Sequence, residues 1–245
     1  MKSFNLLLKN KRKKVLLCVF PHPDDETVMS GGLLLTAKKF GWQTNVLCLT
    51  KGGEGRLHIH PKGRTVKEVR EGELKRAAGI LGVDNLYLSN YPDSKLRFVE
   101  RDWVPFLKKK IKEINPSVVV TYDHSGMYGH PDHIIVSVWV KRIISKMPKH
   151  RRPDVFWVSM DEKVKQKYFP KFLFPNSSCP DYILEFSWSG FLKKITAIYF
   201  HRSQKLLTKR KMLIFLKIGR KEWYHKVSFG RRYTWDCGDA NYDKI

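Results

Sequence analysis

Apolar and polar positions along this chain follow two alternating periods. Short continuous apolar runs at Val15–Phe20 and Val118–Tyr122 have the length and residue types of strands buried on both faces. Thr44–Thr50, Asn85–Leu88, Val155–Val158 and Tyr182–Phe186 read as further strands. Between them lie segments with helical spacing. Val28–Phe40 runs into Gly41, a residue that favours helix C-termini. From Thr65 to Leu81, the apolar positions Val66, Val69, Leu74, Ala77, Ala78 and Leu81 fall on one helical face, and Gly82 stops the run. Arg101–Ile114, Asp132–Met147 and Gly190–Phe200 read as helices too, with Pro105 expected in the first turn of its own. This order predicts an α/β fold of Rossmann-like type, a mostly parallel sheet with helices on both faces. With no internal repeat and no Gly/Ser-rich linker, residues 1–245 are expected to form a single domain.

Composition changes that picture in two places. No apolar run approaches the roughly 20 residues that span a bilayer, and the apolar run after the basic start is too short for a leader peptide. Cys18, Cys48, Cys179 and Cys237 are scattered with no Cys-x-x-Cys pair, which reads as reduced thiols in a cytoplasmic protein. The formal net charge of +24 is high for an enzyme of small molecules. It reads either as a solvated, lysine-rich surface or as attraction to a polyanion. The charge is dense in a stretch at about 205–233, where Lys209-Arg210-Lys211, Lys217, Arg220-Lys221 and Arg231-Arg232 mix with Trp223, Tyr224 and Tyr233. A solvated helix closing the domain is the favoured reading of this stretch. Peripheral contact with an anionic membrane surface is the alternative, ahead of nucleic acid.

The candidate chemistry sits where two predicted strands end. Val15–Phe20 runs into Pro21-His22-Pro23-Asp24-Asp25-Glu26, and Val118–Tyr122 into Asp123-His124 and then Gly129-His130-Pro131-Asp132-His133. Open α/β sheets carry ligands at the carboxyl ends of their strands, so the two segments can converge. Asp24 or Asp25 could cap a helix starting near Thr27, but capping needs one such residue. Three consecutive acids repel one another unless a cation or basic groups neutralise them. Two histidines plus a carboxylate with an open position suit a catalytic zinc ion, and Fe²⁺ or another divalent metal fits the same donors. Asp123 adjoins the second segment, at a position from which a ligand can be oriented. The Gly52-Gly53-Glu54-Gly55 loop lacks the Gly-Lys-Ser/Thr of a phosphate loop. The turn after the first strand has proline and acids where a dinucleotide fingerprint needs glycines, which argues against a nucleotide-dependent oxidoreductase.

The two His-Pro-Asp segments together resemble the PIG-L/LmbE family of zinc-dependent de-N-acetylases. Thr50 with the Gly52–Gly55 loop, Arg70, Glu73, Asp93 and His201-Arg202-Ser203-Gln204 add to the likeness, which spans about residues 14 to 204. The resemblance implies a hydrolase that removes the acetyl group of an N-acetylglucosaminyl conjugate, small or lipid-linked. It implies His22, Asp25 and His133 as metal ligands, Asp24 as general base, and His130 as support for the oxyanion or the leaving amine. It implies Arg70 and Asp93 as hydrogen-bonding partners of the sugar, although the residues alone read equally as a solvated arginine and a turn residue. Glu26 and Asp132 are expected to support the site without touching the metal. A related zinc amidase or esterase acting on a non-sugar substrate would need the same residues.

Overall fold

The computed structural model describes residues 1–169 and 177–229. Its strands are β1 (Lys2–Ser3), β2 (Val15–Phe20), β3 (Gln43–Thr50), β4 (Asn85–Tyr91), β5 (Val118–Thr121), β6 (Asp154–Ser159), β7 (Tyr182–Glu185) and β8 (Lys221–Lys226). The helices are α1 (Phe4–Asn10), α2 (Asp25–Lys39), α3 (Val66–Leu81), α4 (Glu100–Ile114), the single turn α5 (Gly126–Gly129), α6 (Pro131–Ser145), α7 (Glu162–Tyr168), α8 (Trp188–Phe200) and α9 (Lys209–Ile218). The strands form one sheet in the order β1-β7-β8-β6-β5-β2-β3-β4. All pairings are parallel except those of β8, which runs antiparallel to β6 and β7. The α/β class and the mostly parallel sheet match expectation.

The continuous apolar runs are explained by a core on each side of the sheet. In β2, Leu16, Cys18 and Phe20 face a layer with Leu33, Leu34 and Ala37 of α2 and Ala77 and Leu81 of α3. Leu17 and Val19 face the other layer, with Trp103, Leu107 and Ile111 of α4 and Val136 and Val140 of α6. Period-two alternation of Cβ directions makes every residue of such a strand apolar. Each fully buried Leu or Ile contributes about 1.5–3 kcal/mol over its exposed state.

The order β4-β3-β2-β5 positions the chemistry. From β2 the chain moves outward to β3 and β4, then returns to the other side of β2 as β5. The connections after β2 and β5 therefore diverge, leaving a crevice at the carboxyl ends of these two adjacent strands.

Some expected boundaries move. The second helix begins at Asp25, three residues before Val28, so Asp25 and Glu26 belong to its first turn. Helix α4 starts at Glu100, which puts Pro105 in the second turn; Pro105 and Arg101 are both exposed, so water can meet the carbonyl left without a donor. The basic stretch at 205–229 is not one solvated helix. It holds α9 and then β8, whose Tyr224 is wholly buried and whose Trp223 nearly so; Arg231, Arg232 and Tyr233 lie outside the described residues. Cys18 and Cys48 are free and buried; Cys237 lies outside the described residues. Among the described residues no helix is long and apolar enough to cross a membrane.

Candidate metal centre

The stiff turn after β2 aims His22 across the crevice at His133, the third residue of α6. His22 Nδ1 lies 3.2 Å from His133 Nε2. Asp25 completes a triangle with them, its carboxylate oxygens 3.5 Å from His22 Nδ1 and 3.7 Å from His133 Nε2. Helix α6 begins with Pro131 in its first turn, a position that suits proline, and His130 is its N-cap. His130 lies over the same point, its ring centroid 4.8 Å from that of His22 and 4.7 Å from that of His133.

The outer nitrogens of His22 and His133 are already engaged. His22 Nε2 sits 3.0 Å from Asp93 Oδ1 and 3.2 Å from Asp132 Oδ2. His133 Nδ1 is 3.1 Å from the Gly126 carbonyl oxygen. Carboxylates and a carbonyl only accept, so Nε2 of His22 and Nδ1 of His133 are the protonated nitrogens. The inner nitrogens then present lone pairs to each other, and a proton or a cation must lie between them. Metal bonds of 2.0–2.2 Å to such donors place tetrahedral ligands about 3.4 Å apart; the facing nitrogens of His22 and His133 meet that spacing, and ligand atoms of His22, His130 and His133 lie within 4.8 Å of one another. The donor set fits a divalent cation.

Electrostatics follow from this crowding. Burial works to lower the pKa of His22, but hydrogen bonds to Asp132, Asp25 and Asp93 lift it well above the usual histidine range. Burial pushes His133 down to about 4. Asp25 is held far below the normal carboxylate range: burial opposes ionisation, while His133, His22 and the Tyr122 hydroxyl favour it. Asp93 is likewise lowered to about 2, against its burial, chiefly by His22. Asp24 goes the other way. Burial raises its pKa to about 6 despite the Arg70 charge.

Asp24 occupies the N-cap position of α2, but its side chain makes no capping hydrogen bond. Its φ of 109° is a conformation that non-glycine residues rarely adopt, and such strain persists only where neighbours enforce it. Here Glu26 Oε2 accepts from Asp24 N at 3.1 Å. Arg70 donates to Pro23 O at 2.6 Å, to Gly52 O at 3.0 Å and to Asp24 Oδ2 at 3.3 Å. Gly52 has φ +64°, and a Cβ there would lie 2.1 Å from Arg70 Nη1, so only glycine admits this approach.

Arg70 and Asp93, expected as sugar contacts, also make contacts within the protein. Arg70 is buried and braces the Asp24 turn, while Asp93 holds His22 and accepts from Glu54 N at 2.9 Å. Asp132, wholly buried, also accepts from Ser94 N at 2.7 Å and Leu96 N at 3.1 Å, tying β4's loop to the His22 ring. Asp123 accepts from Ser125 N and Oγ and from Ser178 N, building the turn that presents Gly126 O to His133. Glu26 bonds Thr27 and lies 3.5 Å from His201 Nε2.

Sequence reasoning missed Tyr122. It donates to Asp25 Oδ1 at 2.6 Å and stacks on His133 at 3.9 Å with an interplanar angle of 8°. Its place as the residue after β5, at the carboxyl edge, was the available signal.

Comparison with known proteins agrees with this architecture. Residues 17–144 match the PIG-L family, described as GlcNAc-PI de-N-acetylase. A Bacillus anthracis protein named "Probable N-acetyl-alpha-D-glucosaminyl L-malate deacetylase 2" is 30% identical over 201 residues, covering 80% of this chain and 83% of that one. A Thermobifida fusca (strain YX) protein named "1D-myo-inositol 2-acetamido-2-deoxy-alpha-D-glucopyranoside deacetylase" is 35% identical over 167 residues, 58% of each chain. The solved structure of N,N'-diacetylchitobiose deacetylase from Pyrococcus horikoshii shares the fold, with TM-score 0.67 and 23% identity over 91% of both chains. The chain belongs to the PIG-L family of deacetylases, hydrolases acting on amide bonds.

Proposed function

We propose that the protein removes the acetyl group from an N-acetylglucosaminyl conjugate with a divalent cation, zinc by preference, held by His22, Asp25 and His133. The observation that carries this reading is the facing pair of ring nitrogens, 3.2 Å apart, whose opposite nitrogens are both engaged. Family membership supports the reaction. The two relatives are named for different conjugates of one sugar, which supports N-acetylglucosamine as the shared part of the substrate.

When bound, the cation polarises the amide carbonyl and acidifies a water molecule. Asp24 takes the proton from the attacking water. Its side chain is 16% exposed, more open to the crevice than that of Asp25 at 8%. Its raised pKa suits transfer near neutrality. Arg70 and Glu26 hold it in place. His130 Nδ1 accepts from Asp132 N at 3.2 Å, which leaves Nε2 as the protonated nitrogen. Burial lowers the pKa of this ring, so at neutral pH it is a neutral donor. Nε2–H supports the carbonyl oxygen as it gains charge, and the proton that Asp24 has taken from the water is the one available to the leaving amine.

The test is acetate release from N-acetylglucosaminyl L-malate and from the inositol conjugate, using metal-stripped protein before and after zinc is restored. Release that depends on zinc is expected. Release undiminished by chelation, or none from any N-acetylglucosaminyl conjugate with zinc present, would overturn the reading.

A further inference from the structure

At the amino ends of β2, β5 and β6, between α4 and α6, lies a groove of about 1040 Å³. Eight lysines and arginines line it, with no Asp or Glu among the described lining residues. Two of the eight are committed: Lys11 pairs with Asp154, and Arg152 Nε donates to the Met147 carbonyl at 2.8 Å. The other six, Lys13, Lys108, Lys112, Arg142, Lys146 and Arg151, are exposed and have no carboxylate partner among the described residues. Glu113 of α4 is spent on Lys110 at 2.9 Å and Lys109 at 3.8 Å, and none of these three lines the groove. Lys112 and Arg142 lie in the last turns of α4 and α6, where the helix dipole favours cations. Each helix end supplies only about half a negative charge, so the two ends offset about one of the six cations. The rest raise a positive potential that concave walls focus.

We propose that this groove docks a linear polyphosphate chain. Lysine ammonium groups are compact point charges that bind phosphate well, and a row of them matches a chain of closely spaced phosphates. Single-stranded nucleic acid would need aromatic faces for its bases. Trp139 is the only Phe, Tyr or Trp among the described lining residues, and the Arg142 guanidinium covers its ring at 4.8 Å. A membrane surface would need apolar side chains to insert, and none of the exposed large hydrophobic residues lines the groove. No residue of the metal centre lines it either, so the docking site stands apart from the deacetylase reading.

The experiment titrates the full chain with a labelled linear polyphosphate and reads anisotropy over a range of salt. The logarithm of affinity should fall against the logarithm of salt with a slope of about −4, roughly 0.7 for each of the six cations. Lys108→Glu with Lys112→Glu should weaken binding about tenfold or more and flatten the slope by about one to two. Should that pair not fold, Lys108→Ala with Lys146→Ala serves in its place. Lys209→Glu with Arg210→Glu, exposed on α9, changes the net charge equally and should keep affinity within about threefold, because salt screens distant charges. Binding should be the same with and without zinc. An equal loss in the α9 pair would make the attraction general surface charge and overturn the proposal, as would no binding or binding that requires zinc. A single-stranded oligonucleotide, or vesicles of anionic lipid, bound as tightly as polyphosphate and released by the groove variant would overturn polyphosphate as the occupant.

Discussion

The two edges of the sheet handle charge in opposite ways. At the carboxyl edge His22, Asp25, Asp93, Asp132 and His133 are all buried, each within hydrogen-bonding or ion-pairing distance of another. At the amino edge a groove of about 1040 Å³ runs between α4 and α6, lined by basic side chains including Lys13, Lys108, Lys112 and Lys146, with no Asp or Glu among its lining residues. Those four lysines are exposed. Buried charges held by partners keep fixed positions and can do chemistry. Exposed cations mainly set the long-range potential, which salt screens. This basic groove lies at the opposite edge of the sheet from the candidate metal centre.

This contrast can be broken in graded steps. His133→Ala removes an inner lone pair and should abolish both tight zinc binding and acetate release; retained stoichiometric zinc by elemental analysis would contradict the ligand assignment. Asp132→Asn leaves His22 in place but weakens the acceptor at its Nε2. It should cost about 10–100-fold in metal affinity or activity, read by competition with a chelating dye. Arg70→Met takes the brace from the Asp24 turn and leaves the buried Pro23 and Gly52 carbonyls without a donor. A loss of about 1–3 kcal/mol per abandoned acceptor is expected in denaturant unfolding, together with reduced kcat. Reversing two charges in the groove, with Lys108→Glu and Lys112→Glu, should leave stability within about 0.5 kcal/mol and leave acetate release from a neutral conjugate unchanged. A large loss of activity there would make the amino edge part of the site.

How far the sequence could be read follows the same division. The metal segments were legible because each carries chemistry-bearing residues next to a buried strand, so local order and spatial order coincide. Arg70 and Asp93 were visible as residues but their contacts within the protein were not, since what each touches depends on loops brought in from β2 and β3. Strand β8 was hidden by its polar letters. Glu222 looks like surface, yet it is buried because Lys194, two backbone amides and the Tyr224 hydroxyl all reach it. Only the assembled sheet supplies those partners.

The central claim is that the opening turn divides its labour, with Asp25 holding the metal and Asp24 moving the proton. Asp24→Asn tests it most directly, with bound zinc and acetate release measured on the same preparation. The account predicts unchanged zinc occupancy with kcat lowered about 10²–10⁴-fold. Full activity in that variant, or loss of zinc along with activity, would contradict it.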